Sequence, residues 1–177
     1  MLVSAGGGRV GGPLLRAAAE AHVLLERVET TIVAGPFLPA CEWRSLPRGV
    51  PGLRVRRAVA DLSAELGAPT VSVSQCGYNT ALDVLRSGLP ALFVPFAAAG
   101  EDEQTRRAER LARIGVARTL PPAKLDGPRL AAEIDSLLQF RPQPFELDLG
   151  GGAASARILE SLVRDRAGLF RHAVACA

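Results

Sequence analysis

The sequence predicts an α/β fold, a three-layer sandwich in which a mostly parallel sheet carries helices on both faces. Short apolar or β-branched runs alternate with segments of helical periodicity along most of the 177 residues, as is typical of parallel sheets. Residues 71–94 read as a strand, a glycine turn, a helix and a second strand, which is the order of a βαβ unit. With 48% hydrophobic and 22% charged residues, the composition is that of a folded globular domain and argues against disorder.

The first predicted unit is a short strand, a glycine-rich loop and a helix. Residues 1–3 form the strand, and the loop from Ser4 to Gly12 follows it directly. Pro13 is favoured at the start of a helix, and an apolar stripe of helical spacing continues to Glu29. Because glycine has no Cβ, a ligand could approach this backbone closely. Taken alone, such a loop is equally typical of a flexible linker.

Two more strands precede the central unit. Residues 30–33 and 53–55 are β-branched or apolar runs, and the proline- and glycine-rich segment 37–52 predicts an irregular or briefly helical connection between them. Trp43, within that connection, is interpreted as a packing residue. A short helix is expected to begin near Asp61, and either Asp61 or Ser63 could serve near its first turn.

The central unit predicts an anion site. Its strand, residues 71–73, runs into the turn 75–80, and a helix with apolar residues at helical spacing follows until Gly88 and Pro90 end it. Residues 91–94 form the next buried strand. A glycine turn that places a helix N-terminus at the end of a parallel strand offers free amides and a favourable dipole to a phosphate. We therefore predict a cradle for a nucleotide diphosphate.

The remaining chain completes one domain. The pattern predicts a helix over 101–114, a strand over 116–119, a helix over 130–140 that Asp126 and Pro128 introduce, and a last helix over 153–166. No element is predicted beyond that helix. We thus expect one domain, residues 1–166, and a C-terminal tail, residues 167–177.

Charge and cysteine usage exclude several classes of protein. The net charge of +3 is mild, and the arginine cluster 54–57 has no interleaved aromatic residues, so nucleic-acid binding is not expected and the cluster predicts a solvated strand edge. No apolar run reaches the roughly 18 residues of a membrane span, and the chain lacks the pattern of a signal peptide. Three dispersed cysteines predict free thiols rather than a metal site, and hence a cytoplasmic location.

Several motifs together resemble the C-terminal, donor-binding half of GT-B-type glycosyltransferases, in particular the bacterial peptidoglycan N-acetylglucosamine transferase family. The resemblance extends over roughly residues 2–166. It rests on the glycine loop 6–8, the strand-turn-helix segment 74–83, the apolar run 88–96, the acid–Gln pair 103–104 and the glycine-rich entry to the last helix, 148–157. The resemblance implies that residues 1–166 form a Rossmann-like, nucleotide-sugar-binding domain, which would be one half of a GT-B fold.

The resemblance implies a role for each part of the site. Amides around Gly77, together with the Thr80 hydroxyl, would hold the donor diphosphate, and Asp83, one helical turn further, would hold the ribose. Backbone near Val59 would recognise uracil, while Glu103 and Gln104 would contact the sugar. The implied site for the nucleotide-sugar donor comprises Gly6, Gly7, Gly8, Val59, Gln75, Cys76, Gly77, Tyr78, Asn79, Thr80, Asp83, Phe96, Glu103 and Gln104.

Simpler readings of these residues stay open. By spacing alone, Asp83 is a solvated helix acid, and Glu103 with Gln104 is the polar start of a surface helix. Cys76, at a helix N-terminus, is either a thiol of lowered pKa or a small spacer. Arg9, in the glycine loop, is a further charge that could face the phosphates.

Half of the expected active site is absent from the chain. GT-B enzymes act in a cleft between two halves, and the resemblance implies that the acceptor site and general base belong to an N-terminal half. No catalytic residue, metal site or cofactor is predicted here, since the helix amides could carry the charge of the diphosphate. We expect an N-terminal domain or a separate subunit as partner, with peripheral membrane contact through that half left open. The chain is interpreted as an excised domain or, alternatively, as a natural half-enzyme.

Two functions other than sugar transfer are also consistent with these motifs. One is a non-catalytic nucleotide-sugar-binding module, and another is a UDP-sugar epimerase with the same two-half architecture. A nicotinamide-dependent enzyme is disfavoured, because residues 6–12 lack the required glycine spacing and the second strand ends in Gly35-Pro36 without an acid for the ribose.

Overall fold

The computed structural model describes residues 1–7, 9–98, 100–145 and 151–175, with side chains of the last helix described to residue 164. Its centre is a six-stranded sheet of order β3-β2-β1-β4-β5-β6 in which all five strand pairs are parallel, so the predicted α/β architecture is confirmed. The strands are β1 (Leu2–Ser4), β2 (Thr30–Val33), β3 (Leu53–Arg56), β4 (Ser72–Ser74), β5 (Ala91–Phe93) and β6 (Arg118–Thr119).

Helices connect and cover these strands. They are α1 (Gly12–Leu24), α2 (Ala40–Ser45), α3 (Leu62–Glu65), α4 (Tyr78–Ser87), α5 (Glu103–Arg113), α6 (Gly127–Leu138) and α7 (Gly151–Ala175), with a 3₁₀ turn at Pro122–Lys124. Helix α1 packs against α6, and α3 contacts α4. Crossovers between parallel strands are right-handed. The strand order reverses at β1, so the connections between the strands on one side of β1 lie on one face of the sheet, and those on the other side of β1 lie on the opposite face.

The strand order creates a topological switch point. Strand β1 pairs with β2 on one side and with β4 on the other. After β1 the chain turns towards β2 through α1, whereas after β4 it turns towards β5 through α4. The loops that leave the carboxyl ends of β1 and β4 therefore separate, and ligands of doubly wound sheets bind in the crevice that such loops form.

The core explains why these short strands are stable. Val3, Val73 and Leu92 in neighbouring strands are fully buried, as expected for a sheet covered on both faces. Leu15 of α1 and Ile134 of α6 are buried in the same apolar cluster. The strand edge is different, because alternate residues of β3 are exposed arginines, as predicted.

The arginines of the predicted basic cluster contact neighbouring residues of the chain. Arg56 forms an ion pair with Glu65 at 2.7 Å, and Arg57 donates hydrogen bonds to the carbonyls of Pro36 and Leu38. The guanidinium of Arg57 also lies 5.2 Å from the centre of the Trp43 ring, which packs against the core. Trp43 is thus a packing residue, as predicted.

The predicted end of the first helix was wrong. Helix α1 stops at Leu24, five residues before Glu29, because the chain must reverse within 25–29 to enter β2. Arg27 adopts a left-handed φ of 62° in this turn. His22 reinforces the turn, since its buried ring hydrogen-bonds to the Thr30 hydroxyl at 3.0 Å and to the Pro51 carbonyl at 3.0 Å.

The last helix is longer than predicted. Helix α7 begins at Gly151 and continues to Ala175, so most of the segment for which the sequence predicts no element is helical. The chain divides into two compact units, Met1–Pro144 and Phe145–Ala177. The predicted division into a domain of residues 1–166 and a tail stays a prediction, and the resemblance at 148–150 lies outside the described residues. None of the described helices is both long and apolar enough to span a bilayer.

Candidate functional site

A cleft of about 230 Å³ lies at the switch point of the sheet. Its walls are the loop after β1, the segment that joins β4 to α4, and one side chain of α5. The residues that line it are Ala5, Gly6, Gly7, Gln75, Gly77, Tyr78, Asn79, Thr80 and Gln104. Apart from Ala5, all belong to the predicted nucleotide-sugar site, so the fold brings these separate segments together.

The N-terminus of α4 forms one wall of this cleft. Gly77 is its N-cap, with extended backbone at φ −62° and ψ 153°, and no described side chain caps the helix. The first intrahelical bond runs from the Ala81 N–H to the Gly77 carbonyl at 2.9 Å. The N–H groups of residues 78–80 therefore precede the helical ladder, and no acid occupies the first turn. Free amides and the positive end of the dipole make this wall attractive to an anion.

The glycine loop after β1 forms the opposite wall. Gly6 has a left-handed φ of 59°, and its N–H donates to the Ser4 hydroxyl at 3.3 Å. A Cβ at Gly6 would lie 3.6 Å from the hydroxyl oxygen of Thr80, which is itself buried. The loop thus passes close to the first turn of α4, and glycine is required there by its backbone conformation.

Gln75 joins the two walls. Its backbone N–H donates to the Ser4 carbonyl at 3.2 Å, and its side-chain amide donates to the Val10 carbonyl at 3.3 Å. The side chain is nearly buried. Gln75 therefore holds the glycine loop against the end of β4. Its predicted contact with the nucleotide-sugar stays a prediction.

Gln104 extends the cleft towards α5. The backbone N–H of Phe96 donates to the Gln104 side-chain oxygen at 3.1 Å, which leaves the amide NH₂ group as a donor. A neighbouring cleft of about 440 Å³ is also lined by Gln104, together with Phe96 and Glu103. These three residues of the predicted site thus lie beside the switch-point cleft and surround a second, adjoining space.

Cys76 is a buried spacer beneath the turn. Burial raises the pKa of its thiol from 9.0 to about 11, and the opposing effect of the nearby Arg107 guanidinium is smaller. The interpretation of Cys76 as a thiol of lowered pKa was wrong, because desolvation outweighs the effects of the Arg107 charge and hydrogen bond. As its side chain is fully buried, a direct contact with the nucleotide-sugar is not expected.

We expect the two described cysteines to differ sharply in reactivity. Cys41 is exposed, whereas Cys76 is buried and protonated at neutral pH, so iodoacetamide at pH 8 should alkylate Cys41 and spare Cys76. Peptide mass spectrometry of the alkylated protein measures both sites, and denaturation in urea should make both react. Rapid alkylation of Cys76 in the folded protein would contradict the raised pKa.

The same shift predicts a loss of stability in alkali. The thiol ionises near pH 9.0 when unfolded but only near 11 when folded, so its contribution is fully present below pH 9 and is lost as the pH rises towards 11. Urea unfolding across this window should show a decline that Cys76→Ala reduces.

The remaining predicted residues lie outside the switch-point cleft. Asp83 is half-buried on α4, three residues after Thr80, and Val59 is half-buried in the loop after β3. Gly8 lies outside the described residues. Arg9 is exposed in the glycine loop. The ribose role of Asp83 and the base contact at Val59 stay predictions.

Arg107 also lies at the site, although the sequence did not predict it there. Its guanidinium donates to the Cys76 carbonyl at 2.6 Å and pairs with the Glu103 carboxylate. The only sequence signal is its position four residues after Glu103, on the same face of α5.

A larger concavity of about 640 Å³ lies at the opposite end of the strands. Residues at or next to the amino ends of β1, β2 and β4, including Leu2, Thr31 and Val71, line it. Parallel α/β sheets bind ligands beyond the carboxyl ends of their strands. Topology therefore favours the smaller cleft at the switch point as the functional site.

Sequence comparison identifies relatives of the chain. The model of the glycosyltransferase family 28 C-terminal domain matches residues 59–162, more than half of the sequence. The chain is 32% identical over 128 residues to the UDP-N-acetylglucosamine--N-acetylmuramyl-(pentapeptide) pyrophosphoryl-undecaprenol N-acetylglucosamine transferase of Methylorubrum populi, covering 72% of this chain and 34% of that protein. It is 36% identical over 83 residues to the enzyme of the same name from Methylococcus capsulatus, covering 47% and 23%.

Solved structures of glycosyltransferases share the fold. Acinetobacter baumannii MurG aligns with a TM-score of 0.65 at 21% identity, over 79% of this chain and 42% of that one. The spinosyn rhamnosyltransferase SpnG aligns with a TM-score of 0.62 at 26% identity, over 78% and 36%.

The chain spans about a third of the length of the curated relatives it matches. The family match begins at Val59 and includes the helix α4 wall, Asp83 and the Glu103–Gln104 pair. The glycine loop lies upstream of the match but faces α4 across the same cleft. This chain therefore belongs to the family of glycosyltransferase family 28 C-terminal domains.

Proposed function

We propose that this chain is the donor-binding half of a glycosyltransferase that transfers a hexose or N-acetylhexosamine from a UDP-sugar. The acceptor would be bound by an N-terminal domain or a partner subunit. The observation that carries the proposal is the N-terminus of α4, which is capped by none of the described side chains and faces the glycine loop across the switch-point cleft. The transferase names of the relatives support transfer over epimerisation or a non-catalytic binding module.

The diphosphate would lie against the first turn of α4. Its negative charge increases when the bond between the sugar C1 and the phosphate oxygen breaks, and the amides of residues 78–80 are already oriented to receive it. The acceptor oxygen forms the new bond to C1, and its proton would pass to a base on the other half. Because the amides stabilise the leaving group, the proposal requires no metal ion.

Other predicted residues would bind the rest of the donor. Asp83 would accept hydrogen bonds from the ribose hydroxyls, and backbone near Val59 would pair with uracil. Gln104, whose side-chain oxygen accepts from Phe96, would donate through its amide NH₂ to a sugar hydroxyl, with Glu103 beside it. The free thiols of Cys41 and Cys76 support a reducing, cytoplasmic environment for this reaction. Membrane contact would come through the acceptor-binding half.

Calorimetric titration tests donor binding directly. We expect the chain to bind UDP, and Asp83→Ala to weaken UDP binding by about 1–3 kcal/mol through loss of the acceptor for the ribose hydroxyls. Asp135→Ala is a matched control, because Asp135 is an exposed acid on α6, away from both clefts. Transfer should be absent until the acceptor-binding half is added.

Two results would overturn parts of this proposal. No heat with UDP, while thymidine diphosphate or another nucleotide binds, would refute the uridine assignment. Unchanged UDP affinity in a folded Asp83→Ala variant would refute the ribose role.

A further inference from the structure

Arg107 connects two parts of the proposed donor site. One N–H of its guanidinium donates to the Cys76 carbonyl at 2.6 Å, and another pairs with the Glu103 carboxylate one helical turn earlier on α5. The guanidinium lies 5.6 Å from the centre of the Tyr78 ring, within cation–π range. The side chain is only 21% exposed, so these contacts are partly shielded from water.

The bond to Cys76 controls the direction of an amide in the cleft. The Cys76 carbonyl and the Gly77 N–H belong to one peptide group, and no described peptide bond is cis. In a trans peptide the C=O and N–H point to opposite sides of the chain. By fixing the carbonyl, Arg107 directs the Gly77 N–H away from α5. Gly77 lines the switch-point cleft at the N-cap of α4.

The ion pair between Arg107 and Glu103 lies beside the second cleft, the space lined by Phe96, Glu103 and Gln104. The Glu103 side chain is 80% exposed and lines the space that adjoins Gln104. An ion pair with one exposed partner contributes little to stability, but it restricts where the carboxylate lies. Glu103 is a proposed contact of the donor sugar, so its position affects sugar binding more than folding.

The cationic charge of Arg107 lies beside the N-terminus of α4. A cation there faces the positive end of the helix dipole, which is unfavourable, and the Glu103 carboxylate offsets this repulsion in the free chain, as a bound diphosphate also would. Its neighbour Arg106 shows the ordinary alternative, because it pairs with Asp102 at 2.8 Å and remains 78% exposed. The inward contacts of Arg107 thus distinguish it from an arginine that only solubilises the helix.

We propose that Arg107 is a positioning residue of the donor site, which holds the Gly77 peptide and the Glu103 carboxylate in fixed relation to each other. This inference rests on the proposed function. Arg107 thereby couples the diphosphate wall to the sugar-binding cleft. Its loss should impair the binding of UDP, and should impair the binding of an intact UDP-sugar more.

The test compares Arg107→Met with Arg106→Met, which removes an arginine from the adjacent position of the same helix. Calorimetry would measure the affinity of each variant for uridine, UDP and UDP-N-acetylglucosamine. We expect Arg107→Met to weaken UDP roughly tenfold, from loss of a charge-assisted hydrogen bond, and the UDP-sugar by a further fewfold. Uridine, which lacks phosphates, should bind equally to all variants. Arg106→Met should match the wild type throughout.

Arg107→Lys provides a second variant if Arg107→Met does not fold. Lysine keeps the charge but lacks the planar fork that reaches two partners at once. We expect it to recover UDP affinity to within about threefold of wild type while the preference for the UDP-sugar stays reduced.

The outcomes separate this inference from the proposed function. A wild-type chain that binds neither UDP nor the UDP-sugar overturns the proposed function, and the inference with it. A wild type that binds both, with Arg107→Met or Arg107→Lys showing the same two affinities as Arg106→Met, overturns only the role of Arg107.

Discussion

Asn79→Asp is expected to weaken UDP binding by roughly 10- to 100-fold while it stabilises the folded chain by about 0.3–1 kcal/mol. Asn79 is the second residue of α4 and lines the switch-point cleft. A carboxylate in the first turn of a helix interacts favourably with its dipole, so the free protein gains stability. Because Asn79 is exposed, the same carboxylate would repel a negative charge of the bound diphosphate by about 2 kcal/mol, at roughly 5 Å and an effective dielectric constant of about 30–40.

The opposite signs of these effects make the variant informative. Calorimetry measures UDP affinity, and urea unfolding measures stability, on the same preparation. Asn79→Ala removes the amide without adding charge and isolates the electrostatic part. If Asn79→Asp binds UDP as well as Asn79→Ala does, the first turn of α4 does not hold the phosphates.

Leu15→Ala should lower the free energy of unfolding by about 2–5 kcal/mol. Leu15 is fully buried on α1, in the apolar cluster that this helix shares with the sheet and α6. Truncation removes apolar contacts and leaves a cavity that the surrounding strands cannot easily close. Because α1 directly follows the glycine loop, the same variant should also weaken UDP binding.

Leu24→Ala is the matched control for this change. Leu24 lies on the same helix but is 55% exposed, so its truncation should cost less than about 0.5 kcal/mol. Urea unfolding monitored by circular dichroism compares the two. Equal destabilisation by both variants would mean that α1 does not pack on the sheet as described.

Much of the fold could be predicted because local chemistry and tertiary structure agree. Asp61 and Asp126 accept hydrogen bonds from the backbone at the starts of α3 and α6, and Gly88 ends α4 in the left-handed conformation at φ 66°. Caps and glycines act within a few residues, so sequence alone reveals them.

The misplaced end of α1 shows where local reasoning stops. Leu25 and Val28 continue the helical spacing, but Leu25 is buried in the turn that leads into β2 and Val28 packs against the core from the same turn. An apolar residue at this spacing can be buried either in a helix or in a turn, so the spacing does not distinguish the two. The distance between the helix end and the next strand decides between them, and that distance is a property of the tertiary structure.

Part of the candidate site could likewise be predicted from the sequence, and part could not. The cleft walls could be predicted because they are built from backbone at a glycine loop and a helix start, which have sequence signatures. Arg107 could not, since α5 carries arginines at 106, 107, 110 and 113, and only the packing of the helix shows which one reaches Cys76. The contact of Gln75 with Val10 likewise joins residues 65 positions apart.

The most direct test of the central claim is a UDP titration of ¹⁵N-labelled chain followed by two-dimensional NMR. We predict that the amide signals of Gly6, Gly7 and residues 77–80 shift most, in a saturable manner, because the diphosphate lies between the glycine loop and the first turn of α4. Saturable shifts centred on Thr31, Arg54 and Val71, in the concavity at the opposite end of the strands, would contradict this site. The absence of any shift at saturating UDP would contradict donor binding itself.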